Sequence, residues 1–133
     1  MNLRILKKYA LLFAIGAVGY AAIETIWRGR THWSMMIAGG ICFILFSVIS
    51  ELMRGKSILL KAGACAIAIT AVEFVFGVVF NLLLGMSVWD YSDMPLNILG
   101  QICPTFTLLW AGIALAFLPF ADAINKSYAP KIG

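Results

Sequence analysis

The stretch ILLKAGACAIAITAVEFVFGVVFNLLL, residues 58–84, carries one lysine near its start (Lys61) and one acid near its middle (Glu73). A helix needs only ~20 apolar residues to cross a ~30 Å hydrocarbon layer. This run is longer, so the reading is a transmembrane helix with tilt, a kink or an interfacial extension. Three more apolar runs flank it, at residues 9–27, 33–50 and 96–120. Glycine, proline and charge mark the joints: Arg28-Gly29-Arg30, Arg54-Gly55-Lys56, and Gly85 through Pro95. The four runs predict an all-α integral membrane bundle of four transmembrane helices, running up and down, with residues 1–133 as a single transmembrane domain.

Composition points the same way. Of 133 residues, 62% are hydrophobic and 12% charged, against roughly 45–50% and 25% in soluble globular chains. So few charges cannot cover the surface of a small soluble domain. Disorder is excluded as well, because disordered chains lack apolar bulk. The net charge of +4 does not point to nucleic acid, because the basic residues form short clusters between apolar runs. Arg4, Lys7, Lys8, Arg54, Lys56, Lys61, Lys126 and Lys131 fall at one end of the predicted bundle and Arg28 and Arg30 at the other. That asymmetry predicts a multi-pass protein of the cell (inner) membrane with both termini cytoplasmic.

The first run has a basic start and small residues near Gly19–Ala21, like a signal peptide, but it continues into Glu24-Thr25-Ile26-Trp27-Arg28 and reads as a retained span. Trp27, His32, Trp33, Trp89 and Tyr91 read as anchors at the membrane–water boundary. Cys42, Cys65 and Cys103 have neither CxxC nor paired spacing and read as small core residues.

Polar side chains inside the runs carry the functional reading, since a charge at the bilayer centre costs ~2.5–3.5 kcal/mol on insertion scales. Glu73 is the deepest. Thr70, Glu73, Gly77 and Asn81 share one helical face. Asn97, Gln101, Thr105 and Gly112 read as a stripe on the fourth helix; Gly16, Tyr20, Glu24 and Arg28 on the first; Gly40, Ser47 and Glu51 on the second. Facing inward, these stripes predict a polar, water-accessible cavity open to the outside, with Glu73 at its floor as a proton or cation site. Glu73, Glu24, Asn81, Asn97 and Gln101 are its candidate substrate- or ion-binding residues. The competing reading is interhelical glue. Arg28 and Arg30, with Asp90, Tyr91 and Asp93, form a candidate ion-pair cluster at the outer end. Pro104, read as lying within the fourth helix, predicts a kink.

No enzyme constellation is present. His32 has no metal-spaced partner, Ser34 and Ser92 lack a paired base, and there is no phosphate-binding GxxxxGK[ST] loop. No catalytic residue, metal or cofactor is expected.

Val88-Trp89-Asp90-Tyr91-Ser92-Asp93, followed by Pro95-Leu96-Asn97-Ile98-Leu99-Gly100-Gln101-Ile102-Cys103 and Trp110, resembles the "WDYS…N..G" signature of the ABC-transporter type IV family, also called CmpB-like membrane proteins. Glu24 through Gly40 is similar to the shorter bacterial members. The resemblance implies a bacterial multi-pass transport permease and carries over Trp89, Asp90, Tyr91, Ser92, Asn97, Gly100 and Gln101. On the residues themselves, Asp90 and Ser92 suit capping of a turn or helix.

Two functions stay open. One is a transporter or permease component for a small polar or cationic solute, homodimeric because four short helices enclose little volume. The other is a non-transporting subunit, scaffold or regulator whose polar stripes meet a partner membrane protein. Pore formation of the holin kind is a third, weaker reading.

Overall fold

Short polar side chains start two of the helices. Ser57 Oγ accepts from the Leu60 amide at 3.3 Å, and His32 Nδ1 accepts from the Ser34 amide at 3.2 Å. Each satisfies an amide that the first helical turn leaves without a carbonyl. The computed structural model describes residues 3–29 and 32–128, with the side chains of Trp27 and Arg28 left out. Its helices are α1 (Leu3–Arg28), α2 (Trp33–Leu52), α3 (Ile58–Phe76) and α4 (Pro104–Ser127). From Gly77 to Leu83 the third helix continues with π-helical bonding, so the apolar rod runs unbroken over Ile58–Leu83. Among the described residues there is no strand, only an isolated bridge between Ile98 and Ile102.

All four rods are long and apolar enough to cross a membrane. Their outward surface is apolar too: Ile26 is 86% exposed, Leu108 75% and Ile67 70%. A soluble protein would not present these side chains to water in such number; a bilayer is their natural solvent.

α2 is the central helix, packed against α1, α3 and α4, while α1 meets α4 only sparsely. Small residues bring α1 and α2 together. A Cβ on Gly39 would fall 2.6 Å from Tyr20 Cβ, and one on Gly40 2.6 Å from Phe13 Cδ2. Without a hydrophobic driving force between helices in lipid, such close backbone approach supplies the association through van der Waals contact. Leu12, Phe43, Phe46, Cys65, Ile69, Trp110, Ala114 and Leu118 form the main core.

At the end carrying residues 3 and 128 the core turns polar. Ser47 Oγ donates to Asn125 Oδ1 at 2.5 Å, Asn125 Nδ2 returns to the Ser47 carbonyl at 3.2 Å, and Lys61 Nζ donates to Ser50 Oγ at 3.1 Å. Ser50 Oγ in turn donates to Asp122. This chain ties α2 to α3 and α4.

The fourth helix departs from the sequence reading. It was expected over residues 96–120 and runs from Pro104 to Ser127. Pro104 is therefore no internal kink. It occupies the first turn, where its missing N–H is one that no carbonyl would have accepted anyway. The proline inside the helix is Pro119. The expected stripe of Asn97, Gln101, Thr105 and Gly112 is consequently not a helical face: Asn97 and Gln101 precede the helix, and Thr105 and Gly112 are exposed. The buried face of α4 is Trp110, Ala114, Leu118, Ala121 and Asn125.

Candidate functional site

The late start of α4 makes the site. Thr70 and Thr107 are hydrogen-bonded at 2.8 Å and set α3 and α4 in register. Beyond that contact α3 and its π-helical extension run on to Leu83, roughly 20 Å at the helical rise. α4 stops at Pro104, less than one turn away. The irregular segment 84–103 folds back into the space where a longer α4 would have stood. Non-helical backbone at such depth is tolerated only when protein buries it and its polar groups are paired.

The signature residues provide that pairing. The Tyr91 amide donates to the Gly100 carbonyl at 2.7 Å, and the Ile98 amide to the Ile102 carbonyl at 2.9 Å. Asn97 spans the loop: Nδ2 donates to the carbonyls of Ser92 (3.2 Å) and Met94 (2.9 Å), and Oδ1 accepts from the Gly100 amide (2.9 Å). Asp90 Oδ1 accepts from the Ser92 amide at 2.9 Å, and this bond holds the exposed Asp90 carboxyl below the usual carboxylate range. Gly100 has φ +72°, and a Cβ there would meet Asp90 Oδ1 at 3.0 Å, so a side chain at this position would be strained. The three non-glycine residues of positive φ among those described, Ser87, Leu96 and Leu99, all lie in this segment. Such conformations persist only where the surroundings over-determine them.

Gln101 and Trp89 fasten the loop to the third helix. Asn81 Nδ2 donates to Gln101 Oε1 at 2.8 Å, Asn81 Oδ1 accepts from the Val88 amide at 2.6 Å, and Trp89 Nε1 donates to the Gln101 carbonyl at 3.0 Å. Both side chains press on Gly77, where the helix changes from α to π. Trp89 is thus a buried strut and not the boundary anchor expected of it.

The result is a carboxylate with two fixed donors. Tyr91 Oη donates to Glu73 Oε2 at 2.7 Å and Trp110 Nε1 to Glu73 Oε1 at 3.3 Å. The Tyr91 ring is held by stacking on Phe106, centroids 4.6 Å apart and planes 7° from parallel. Burial first, and the nearby Glu73 carboxylate second, push the Tyr91 hydroxyl above the ordinary tyrosine range. Tyr20, hydrogen-bonded to Glu24, lies 6.2 Å from the Trp110 ring, centroid to centroid.

Glu73 borders a cavity of about 120 Å³ reached by all four helices. Its walls are mostly apolar and aromatic, with Phe43, Phe46, Phe117, Trp110 and Tyr20 prominent. Gly19 faces open space, and the sparse α1–α4 contact leaves that side loosely closed. A polar, water-accessible cavity was expected; its lining is instead mostly apolar, with Glu73 and Tyr20 among the few polar side chains that border it.

The other expected site residues are dispersed. Glu24 is buried on α1. Asn81, Asn97 and Gln101 build the loop framework instead of lining the cavity. Of the outer-end cluster, the Arg28 side chain and Arg30 lie outside the described residues, Asp90 and Asp93 are exposed, and Tyr91 turns inward to Glu73. Sequence reasoning did not bring Trp110 or Phe106 to the site. An indole N–H inside an apolar run needs an acceptor, and that need was the available signal for Trp110. Among the described residues no group of three or more His, Cys, Asp and Glu is placed to hold a metal.

The fold is that of a four-helix membrane protein, and a loop supports a buried carboxyl on its third helix. The family model described as "Putative ABC-transporter type IV" matches residues 10–132, and the chain belongs to that family. Comparison with curated proteins and with solved structures finds no match.

Proposed function

We propose that the chain is a membrane-embedded transport component, a permease without catalytic chemistry of its own, that binds a small cation with an apolar body against Glu73. The observation that carries this reading is a lone carboxylate facing an aromatic-walled apolar cavity within the bundle. The walls suit the apolar body by burial. Trp110 and Tyr20, both in the lining, are ring types that attract a cationic head, and Glu73 offers the counter-charge. A small hydrated ion is disfavoured, because the walls have few groups to replace its water. The basic clusters support a topology with both termini in the cytoplasm, and a second copy of the chain would close the side where α1 and α4 barely meet.

The test uses purified protein in liposomes and an aromatic quaternary ammonium, benzyltrimethylammonium. Wild type is expected to take it up, and Glu73→Gln to lose at least about tenfold of the rate, the scale of one ionic hydrogen bond, while keeping its helical circular dichroism. Uptake that survives in Glu73→Gln, or absent uptake by wild type, overturns the proposal.

A second reading, a non-transporting subunit, is favoured by one observation: Leu96, Leu99 and Ile98 project from the loop at 81%, 64% and 53% exposure. Such a patch fits a partner membrane protein. Absent uptake together with one membrane protein co-purifying in mild detergent would support it.

A further inference from the structure

A second cavity, of about 270 Å³, opens at the opposite end of the bundle from the 84–103 loop, between the start of α1 and the ends of α2 and α4. Arg4, Lys8 and Arg54 line it, with Glu51, Asn125 and Tyr128. Among the described residues that line it, three are cations and one is a carboxylate, Glu51, which is paired with Arg54. Asn125 is engaged with Ser47.

Arg4 and Lys8 are four residues apart on one face of α1, a spacing at which like charges repel. Orientation of the protein in the membrane needs basic residues near this end but not their convergence on a cavity. Their side chains are held there: Arg4 donates to the Ser127 carbonyl at 3.2 Å and lies 5.8 Å over the Tyr128 ring, and Lys8 lies 5.7 Å over Tyr9. A guanidinium presents a planar fork that matches two oxygens of a tetrahedral anion, and an ammonium adds three donors of adjustable direction.

We propose that this cavity binds a phosphoryl anion, its oxygens held by Arg4, Lys8 and Arg54. The same chemistry is offered by the phosphate of an anionic phospholipid and by a soluble phosphate. The site depends on neither Glu73 nor transport.

The experiment uses the full chain in detergent. Binding of phosphatidylglycerol and of phosphatidylcholine is followed by native mass spectrometry, and inorganic phosphate by thermal shift. Phosphatidylglycerol is expected to bind at least about tenfold more tightly than phosphatidylcholine, and Lys8→Gln to weaken it about tenfold, the loss expected of one charge-assisted contact. Lys126→Gln, outside the cavity, is expected to leave binding unchanged. Arg54→Gln, at a position 78% exposed, gives the same reading should Lys8→Gln fail to fold. If phosphate stabilises wild type but not the cavity variants and the two lipids bind alike, the site is confirmed with a soluble ligand. Binding of neither anion, or equal weakening by Lys126→Gln, overturns the proposal.

Discussion

Replacing Gly77 by alanine should destabilise the protein, although alanine is the better helix former. The backbone at Gly77 has φ −62° and ψ −46°, ordinary helical values that any residue adopts. Conformation alone therefore predicts a gain of about 1 kcal/mol for Gly77→Ala. Space predicts the reverse. A Cβ there would sit 2.5 Å from Gln101 Oε1, 2.9 Å from Gln101 Cβ and 3.0 Å from Trp89 Cζ2. Neither neighbour is a free-swinging end: Gln101 is held by Asn81 and by the Leu99 carbonyl, and Trp89 by the Gln101 carbonyl. Overpacking of a filled site costs about 1–3 kcal/mol, so the net expectation is a loss of up to about 2 kcal/mol once the propensity gain is subtracted. Gly63 is the control, because a Cβ there meets nothing within 4 Å. Gly63→Ala should be neutral or stabilising by up to about 1 kcal/mol. Unfolding of both variants in mixed micelles, titrated with denaturing detergent and followed by tryptophan fluorescence, measures the difference. A Gly77→Ala protein as stable as Gly63→Ala would refute the packing of the loop onto the third helix.

Asn97→Ala removes three hydrogen bonds from segment 84–103, worth roughly 0.5–1.5 kcal/mol each; hydrogen exchange should rise in that segment and stay unchanged in α2. Asn125→Ala strips Ser47 Oγ of its acceptor in a buried setting and should cost about 1–3 kcal/mol of unfolding free energy in the same micelle titration. Tyr91 should remain protonated at pH values where an exposed tyrosine, ordinarily near 10.0, has ionised. The unfolded chain gives up that proton first, so stability falls as pH rises past 10.0. Tyr91→Phe should lose this part of the alkaline sensitivity, as read by stability against pH, and leave the tyrosinate absorbance reached at moderately alkaline pH unaltered.

Some features of the site were legible from spacing. Thr70, Glu73, Gly77 and Asn81 fall on one face by helical period, and in the structure each turns toward α4 or the 84–103 segment. The partners of Glu73 were not legible. Tyr91 and Trp110 lie 18 and 37 residues away in sequence, and no local pattern joins them. Apolar residues before Pro104 looked like the start of a helix because hydropathy does not distinguish a buried irregular segment from a span. The proline and the left-handed residues nearby, rather than hydropathy, set the true boundary.

By itself the sequence determined that four apolar helices cross a membrane and that one acid lies deep within the third. Both follow from local quantities, the length of an apolar run and the position of a charge along it, which need no knowledge of neighbours. Only the tertiary structure decided what surrounds that acid. The short fourth helix leaves a gap, the signature segment fills it, and a tyrosine and a tryptophan converge on the carboxyl at the edge of an oily cavity. Which donors reach a buried carboxylate depends on how separate helices align in space, and helical period along one chain segment carries no information about that alignment.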